Sequence, residues 1–99
     1  MPVCTANVET SHASRYLQQL CKHWSHKFAV DFDASRGVIP FNPETSLDLA
    51  ADDKVLRITL HVAEAGNLER MQTVVDDHLK RFAFREELSI VWTAGPAAA

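Results

Sequence analysis

Histidines and clustered cations are the side chains of this chain that could do chemistry. Three of its five histidines, His12, His23 and His26, lie in SHASRYLQQLCKHWSHKF at 11–28. His23 and His26 are three residues apart, so on one helix both imidazoles can reach a single ion. Such a pair needs a further histidine or carboxylate from elsewhere. His12 precedes His23 by eleven residues, roughly 16 Å along a helix axis, which is too far to join them. The alternative is that these are surface imidazoles beside a helix C-terminus, where cations are favoured. His78 stands in an apolar stripe made by Met71, Val74, Val75, Leu79 and Phe82. A partly buried imidazole must find a hydrogen-bond partner, such as a backbone carbonyl or the Tyr16 hydroxyl. In another role it would be an axial haem ligand or a general base. Arg81 and Arg85, with Lys80, could clamp a carboxylate or phosphate, or simply close the helix and pair with Glu86 or Glu87. His78, Arg81 and Arg85 are therefore the candidate ligand-binding residues, and His23 and His26 the candidate metal pair.

Other chemistry finds little material. Asp76 and Asp77 are adjacent, so on a helix they point to different sides and form no catalytic carboxylate pair. Cys4 and Cys21 make no CxxC motif, and Cys21 falls on an apolar stripe, as a core residue would. No nucleophile elbow, phosphate loop, dinucleotide fingerprint or HExxH motif is present. These absences lean against an enzyme.

Composition narrows the class further. Ninety-nine residues, 46% apolar and 23% charged, suit one globular domain with a single core. A net charge of −3 and a pI near 5.9 argue against a binder of duplex nucleic acid. The charge is uneven: Arg15, Lys22 and Lys27 stand unopposed in 11–27, while 31–53 carries six acids against Arg36. The first ten residues lack the charged and apolar regions of a secretory signal, and no apolar run reaches membrane-spanning length. The expectation is a cytoplasmic protein that does not enter membranes.

Periodicity supplies the elements that must hold these residues. A short strand is expected at 3–8. In 11–28, Tyr16, Leu17, Leu20, Cys21, Trp24 and Phe28 line one side of a helix that Thr10 or Ser11 can cap. From Phe28 the period changes to two, giving strands at 28–33, 38–41, 47–51 and 55–62. The turns between them are Asp33–Gly37, Asn42–Glu44 and Asp52–Asp53. Pro40 cannot donate to a ladder, which places it at an edge or a bulge. A second helix is expected over 67–83 with Asn67 as its cap, and a final strand over 88–93. The tail at 94–99 has nothing to bury. The fold class is α+β: a two-layer sandwich, order β-α-β-β-β-β-α-β, with both helices on one face of a mainly antiparallel sheet. Leu56, Ile58 and Leu60 should lie beneath Leu20, Trp24, Val75 and Phe82, while Asp48, Arg57, Thr59 and His61 face solvent. The 28–62 strands form a meander, and the first and last strands compete for the remaining edge positions. The arrangement resembles the TATA-binding-protein-like two-layer folds.

Two stretches, HASRYLQQLCKHWSHKF at 12–28 and DHLKRFAFREEL at 77–88, resemble the bacterial family known as domain of unknown function 2218. SLDLAADDKVLRITL at 46–60 is similar in style. The resemblance implies a compact domain of about this size, with no catalytic residues assigned. It also implies an iron-acquisition setting, since some relatives are joined to or encoded near siderophore-interacting, ferric-reductase-like proteins. The expected role is a non-catalytic accessory that binds a protein partner or a small ligand, with a homodimer as its expected assembly. No cofactor is called for; iron or haem held by His78 or by His23 and His26 is the alternative, and a small enzyme the third.

Overall fold

The computed structural model describes residues 3–42, 45–62, 68–83 and 86–94. Its elements are β1 (Val3–Glu9), α1 (Ala13–Trp24), β2 (Asp31–Phe32), β3 (Arg36–Asn42), β4 (Thr45–Ala51), β5 (Val55–His61), α2 (Leu68–Phe82) and β6 (Trp92–Ala94). The expected order of elements holds. All pairings are antiparallel, and the strands lie in the order β2-β3-β4-β5-β1-β6.

The meander turns as the side chains dictate. Asp33 Oδ1 accepts from the backbone N–H groups of Ser35 and Arg36 at 2.8 and 2.9 Å, closing the β2–β3 turn. Asp52 Oδ1 does the same for Lys54 and Val55 between β4 and β5, at 2.8 Å each. Alternation then sets the faces. Leu56, Ile58 and Leu60 are fully buried, together with Leu47, Leu49 and Ile39 on neighbouring strands and Cys4, Ala6 and Val8 on β1. Onto this face pack Leu17, Leu20, Cys21 and Trp24 from α1 and Val75 and Leu79 from α2. On the other face Arg57 is exposed as expected, but Asp48, Thr59 and His61 are half-buried rather than fully solvated, His61 Nε2 lying 3.1 Å from Asp48 Oδ2 on the neighbouring strand.

Several boundaries differ from expectation, each for a local reason. α1 stops at Trp24, four residues early. The backbone N–H of Ser25 still bonds to the Cys21 carbonyl, but Lys27 and Phe28 both bond back to Trp24, tightening the chain into a turn. A further bond from Val30 N–H to the Phe28 carbonyl delays the strand, so β2 is two residues long rather than six. The first turn of α1 has no side-chain cap; instead Thr10 Oγ1 accepts the His12 N–H at 3.1 Å. β1 is not an edge strand. It pairs with β5 along its whole length, from Val3↔His61 to Glu9↔Val55, because its near-continuous buried run Cys4–Ala6 suits an interior place. The final strand is confined to Trp92–Ala94 and takes that edge. Leu88, Ile90 and Trp92 nevertheless alternate inward as expected, packed against the core. The expected cap Asn67 and the candidate residue Arg85 lie outside the described residues.

Within β3, one position sets how closely α1 packs and another re-aims a ring. Gly37, read from sequence as the end of a turn, is a buried strand residue over which α1 passes closely: a Cβ there would lie 2.6 Å from Cys21 Sγ. At Pro40 the β3–β4 register shifts, Pro40 facing Ser46 and Asn42 facing Thr45, so Phe41 has no ladder partner. This is a β-bulge, and bulges re-aim side chains. No helix among the described residues is long and apolar enough to cross a membrane.

Candidate functional site

The end of α1, the turn after it, the middle of α2 and the bulge of β3 converge on an open cleft of about 420 Å³. α1 and its turn contribute His23, Trp24, His26, Lys27 and Phe28; β3 contributes Phe41; α2 contributes Met71, Val74 and His78. The α2 residues fall at spacings of three, four and seven, so one helical face supplies all three.

Aromatic packing fixes the shape of the floor. Phe41, released from the ladder by the bulge, stands edge-on to Trp24 at 5.1 Å and to Phe28 at 5.2 Å between ring centroids. These are favourable T-shaped contacts. The His78 ring lies 4.8 Å from Trp24, tilted by 39°, and 5.0 Å from the His23 ring. His23 in turn meets Phe82 edge-on at 5.9 Å. The candidate His78 therefore sits between the two helices, in contact with both an indole and a second imidazole.

The tautomer of His78 follows from its partner. Nδ1 is 2.7 Å from the Val74 carbonyl, which can only accept, so the proton is on Nδ1. In the neutral ring Nε2 then carries a bare lone pair. A backbone carbonyl was one of the two partners expected from sequence. The other, the Tyr16 hydroxyl, donates elsewhere. His23 is surrounded by cations. Burial lowers its pKa from the ordinary 6.5, and His78, Arg81, His26 and Lys27 lower it further.

The candidate residues are brought together unevenly. His23, His26 and His78 share the cleft, and Arg81 is exposed on its flank, close enough to act on His23. The imidazole contact runs across the two helices, His23 to His78, and not along one helix from His23 to His26. The helix ends at Trp24, so His26 follows the turn instead of the helical repeat. No three histidine, cysteine, aspartate or glutamate side chains converge as a metal cluster among the described residues. His12 lies at the other end of α1, 3.9 Å from Glu86. Glu86 was expected to pair with Arg81 or Arg85; instead it accepts from Thr10 Oγ1 at 2.7 Å and Tyr16 OH at 2.8 Å. Those two bonds hold its carboxyl below the usual range, while burial and the same contact push the Tyr16 hydroxyl up. The cluster latches residue 86 to the start of α1.

Sequence reasoning did not assign Trp24, Phe28, Phe41, Lys27 or Met71 to a site. Trp24 and Phe28 read simply as core stripe, and only Pro40, as a bulge signal, pointed toward Phe41. Two larger depressions, about 600 and 550 Å³, flank residues 86–91. They mix both signs of charge, Lys80 with Glu86 and Glu87 in one and Arg57 with Glu9 and Glu87 in the other, and among the described residues neither contains a histidine or an aromatic ring. The smaller cleft is the chemically convergent one.

Fold and cleft together define a two-layer α+β domain with an aromatic, imidazole-rimmed depression between its helices. The chain belongs to the family of uncharacterised proteins conserved in bacteria, domain of unknown function 2218, whose sequence profile matches residues 5–93. Among solved structures it is similar to the NMR structure of PA4090 from Pseudomonas aeruginosa, with 40% identity and a TM-score of 0.78. The match covers 94% of this chain and 96% of that one, and it supports the α+β architecture over almost the whole length. No curated protein matches the chain.

Proposed function

We propose that this domain is a non-catalytic accessory that binds a small ligand in the cleft between α1 and α2. The observation that carries this reading is the aromatic array itself. Phe28 and Phe41, both half-buried, present ring surface over the buried Trp24, at an opening that His78, His23 and Lys27 surround with polar groups. Ligand sites are typically apolar concavities with a few convergent polar groups, and a mainly apolar floor with a polar rim matches that description. A screen of aromatic fragments against the isotope-labelled protein tests it. Binders should shift the Trp24 indole and the Val74 and His78 signals. If hits gather instead at the Lys80–Ser89 depression, or none perturbs Trp24, the reading fails. The iron-acquisition setting rests on the family resemblance alone, and induction of the gene under iron limitation is its test.

A second reading, a metal or haem site, is favoured by one observation: the Nδ1 bond to Val74 leaves His78 Nε2 bare beside His23, as ligating histidines are often held. Met71 could add a soft thioether. Elemental analysis and the absorption spectrum of the purified protein decide it; without metal or a Soret band this reading falls. Self-association through the outer sheet face, where Val38 is 46% and Val91 64% exposed, is part of the same proposal. Light scattering that reports a monomer at high micromolar concentration removes it.

A further inference from the structure

Among the described residues, the charges that line or flank the cleft are of one sign. Facing His23 are His26 and Lys27 from the turn after α1, and His78 and Arg81 from α2. α1 contains no acidic residue. β3 contributes, among the described residues, the Phe41 ring alone to the lining. Of the acids of α2, Asp76 accepts the Trp92 indole N–H at 2.9 Å, and neither Glu69 nor Asp77 lines the cleft. A bland account is that these cations merely neutralise the C-terminal ends of two helices. Each such end carries about half a negative charge, so two ends offset at most about one unit. Lys27 and Arg81 alone supply two, before any imidazole is protonated. The excess is positive among the described residues, and it lies beside an aromatic floor.

We propose that the cleft takes a planar aromatic carboxylate, its ring against Phe28 and Phe41 and its carboxylate among His23, His78 and Lys27 with Arg81 on the flank, and that binding draws a proton from solution onto the imidazole pair. The proposal rests on the cleft being the binding site. The proton is required by the His78 tautomer. With Nδ1–H committed to Val74, a neutral His78 has only a lone pair to offer at Nε2, and a carboxylate oxygen that reaches it meets another acceptor. Protonation of Nε2 converts it to a donor and forms a charge-assisted bond. His23 acts in the same sense: burial and then its cationic neighbours lower its pKa, and an arriving anion offsets those neighbours. A bound carboxylate therefore favours a protonated imidazole over the neutral ring, so affinity rises as pH falls.

Titrations of the labelled full chain with 2-naphthoate, naphthalene-2-carboxamide and acetate at pH 6, 7 and 8 test this. A carboxylate of ordinary pKa, about 4, stays ionised throughout, so any pH dependence belongs to the protein. The 2-naphthoate should shift the Trp24 indole and the His23 and His78 ring signals, binding at least threefold more tightly at pH 6 than at pH 8. The carboxamide should bind at least tenfold more weakly and without pH dependence, and acetate should not saturate. His78→Gln, which cannot take up a proton, should flatten the pH profile. Arg81→Gln, at an exposed position, should weaken 2-naphthoate and leave the carboxamide unchanged. Equal affinity for acid and amide, or a flat profile for 2-naphthoate, overturns the proposal while leaving the cleft as a site. Saturable acetate binding as tight as that of 2-naphthoate overturns the aromatic requirement. If neither ring probe moves Trp24, the cleft reading itself is wrong.

Discussion

Replacing Gly37 by alanine adds one methyl group where α1 lies closest to the sheet. The new Cβ would stand 2.6 Å from Cys21 Sγ, 3.2 Å from Phe32 Cβ and 3.5 Å from a Leu17 methyl. Non-bonded heavy atoms prefer about 3.5–4.0 Å, so the sulfur contact is short by about 1 Å. Relief is not easy. Cys21 is fully buried on α1 and Phe32 Cβ moves only with its backbone. Either the Cys21 side chain leaves its rotamer in a packed core or α1 lifts from β3. Overpacking of this kind costs about 1–3 kcal/mol. For a domain of this size that is a fall in Tm of about 4–8 °C per kcal/mol. Urea unfolding followed by circular dichroism measures it. The decisive control is the double variant with Cys21→Ala, which removes the clashing sulfur. Its destabilisation should be smaller than the sum of the two single changes by about 0.5–2 kcal/mol. Gly37→Ala within about 0.5 kcal/mol of the parent, or strict additivity with Cys21→Ala, would refute the close approach of α1 to β3.

Other consequences can be checked separately. Ile58 lies at the centre of the buried sheet face, and Ile58→Ala should cost about 2–5 kcal/mol in chemical denaturation; a loss below about 0.5 kcal/mol means the face is reversed. Burial pushes the Cys21 thiol up to about 11 and raises that of Cys4 as well, so both should resist iodoacetamide in the folded protein and react on unfolding. Rapid alkylation of native Cys21 at neutral pH contradicts its placement. Glu86 titrates lower in the folded state than the unfolded carboxyl value of about 4.3, so its latch stabilises the fold above that pH and is lost as pH falls through the folded value. Glu86→Gln should therefore be less stable than the parent at pH 7 and converge with it in acid. His23 shifts the same way from 6.5, its contribution lost as pH falls below that value, and His23→Gln should remove that part of the pH dependence.

The sequence by itself determined the identity and order of the elements and the inward face of each. Period-two alternation in 55–61 and the three- and four-residue spacing in α1 and α2 are local signals, set by backbone geometry before any tertiary contact forms. The turns at Asp33 and Asp52 were legible for the same reason, because the carboxylates bond to backbone N–H groups two and three residues on. His78 was also legible as a partly buried imidazole needing a partner, and Arg81 as a flanking cation. Other features were not local. β1 sits between β5 and β6 because pairing partners are chosen by burial across the whole sheet, and a seven-residue strand carries no mark of its neighbours. Gly37 looked like a turn residue until α1 came to lie over it. His23 and His26 looked like a pair because a continuous helix was expected, and the turn after Trp24 ended that repeat. The cleft depends on the bulge at Pro40 and on two helices that meet only when both have docked, His23 and His78 being far apart in the chain. Only tertiary packing places those two rings 5.0 Å apart.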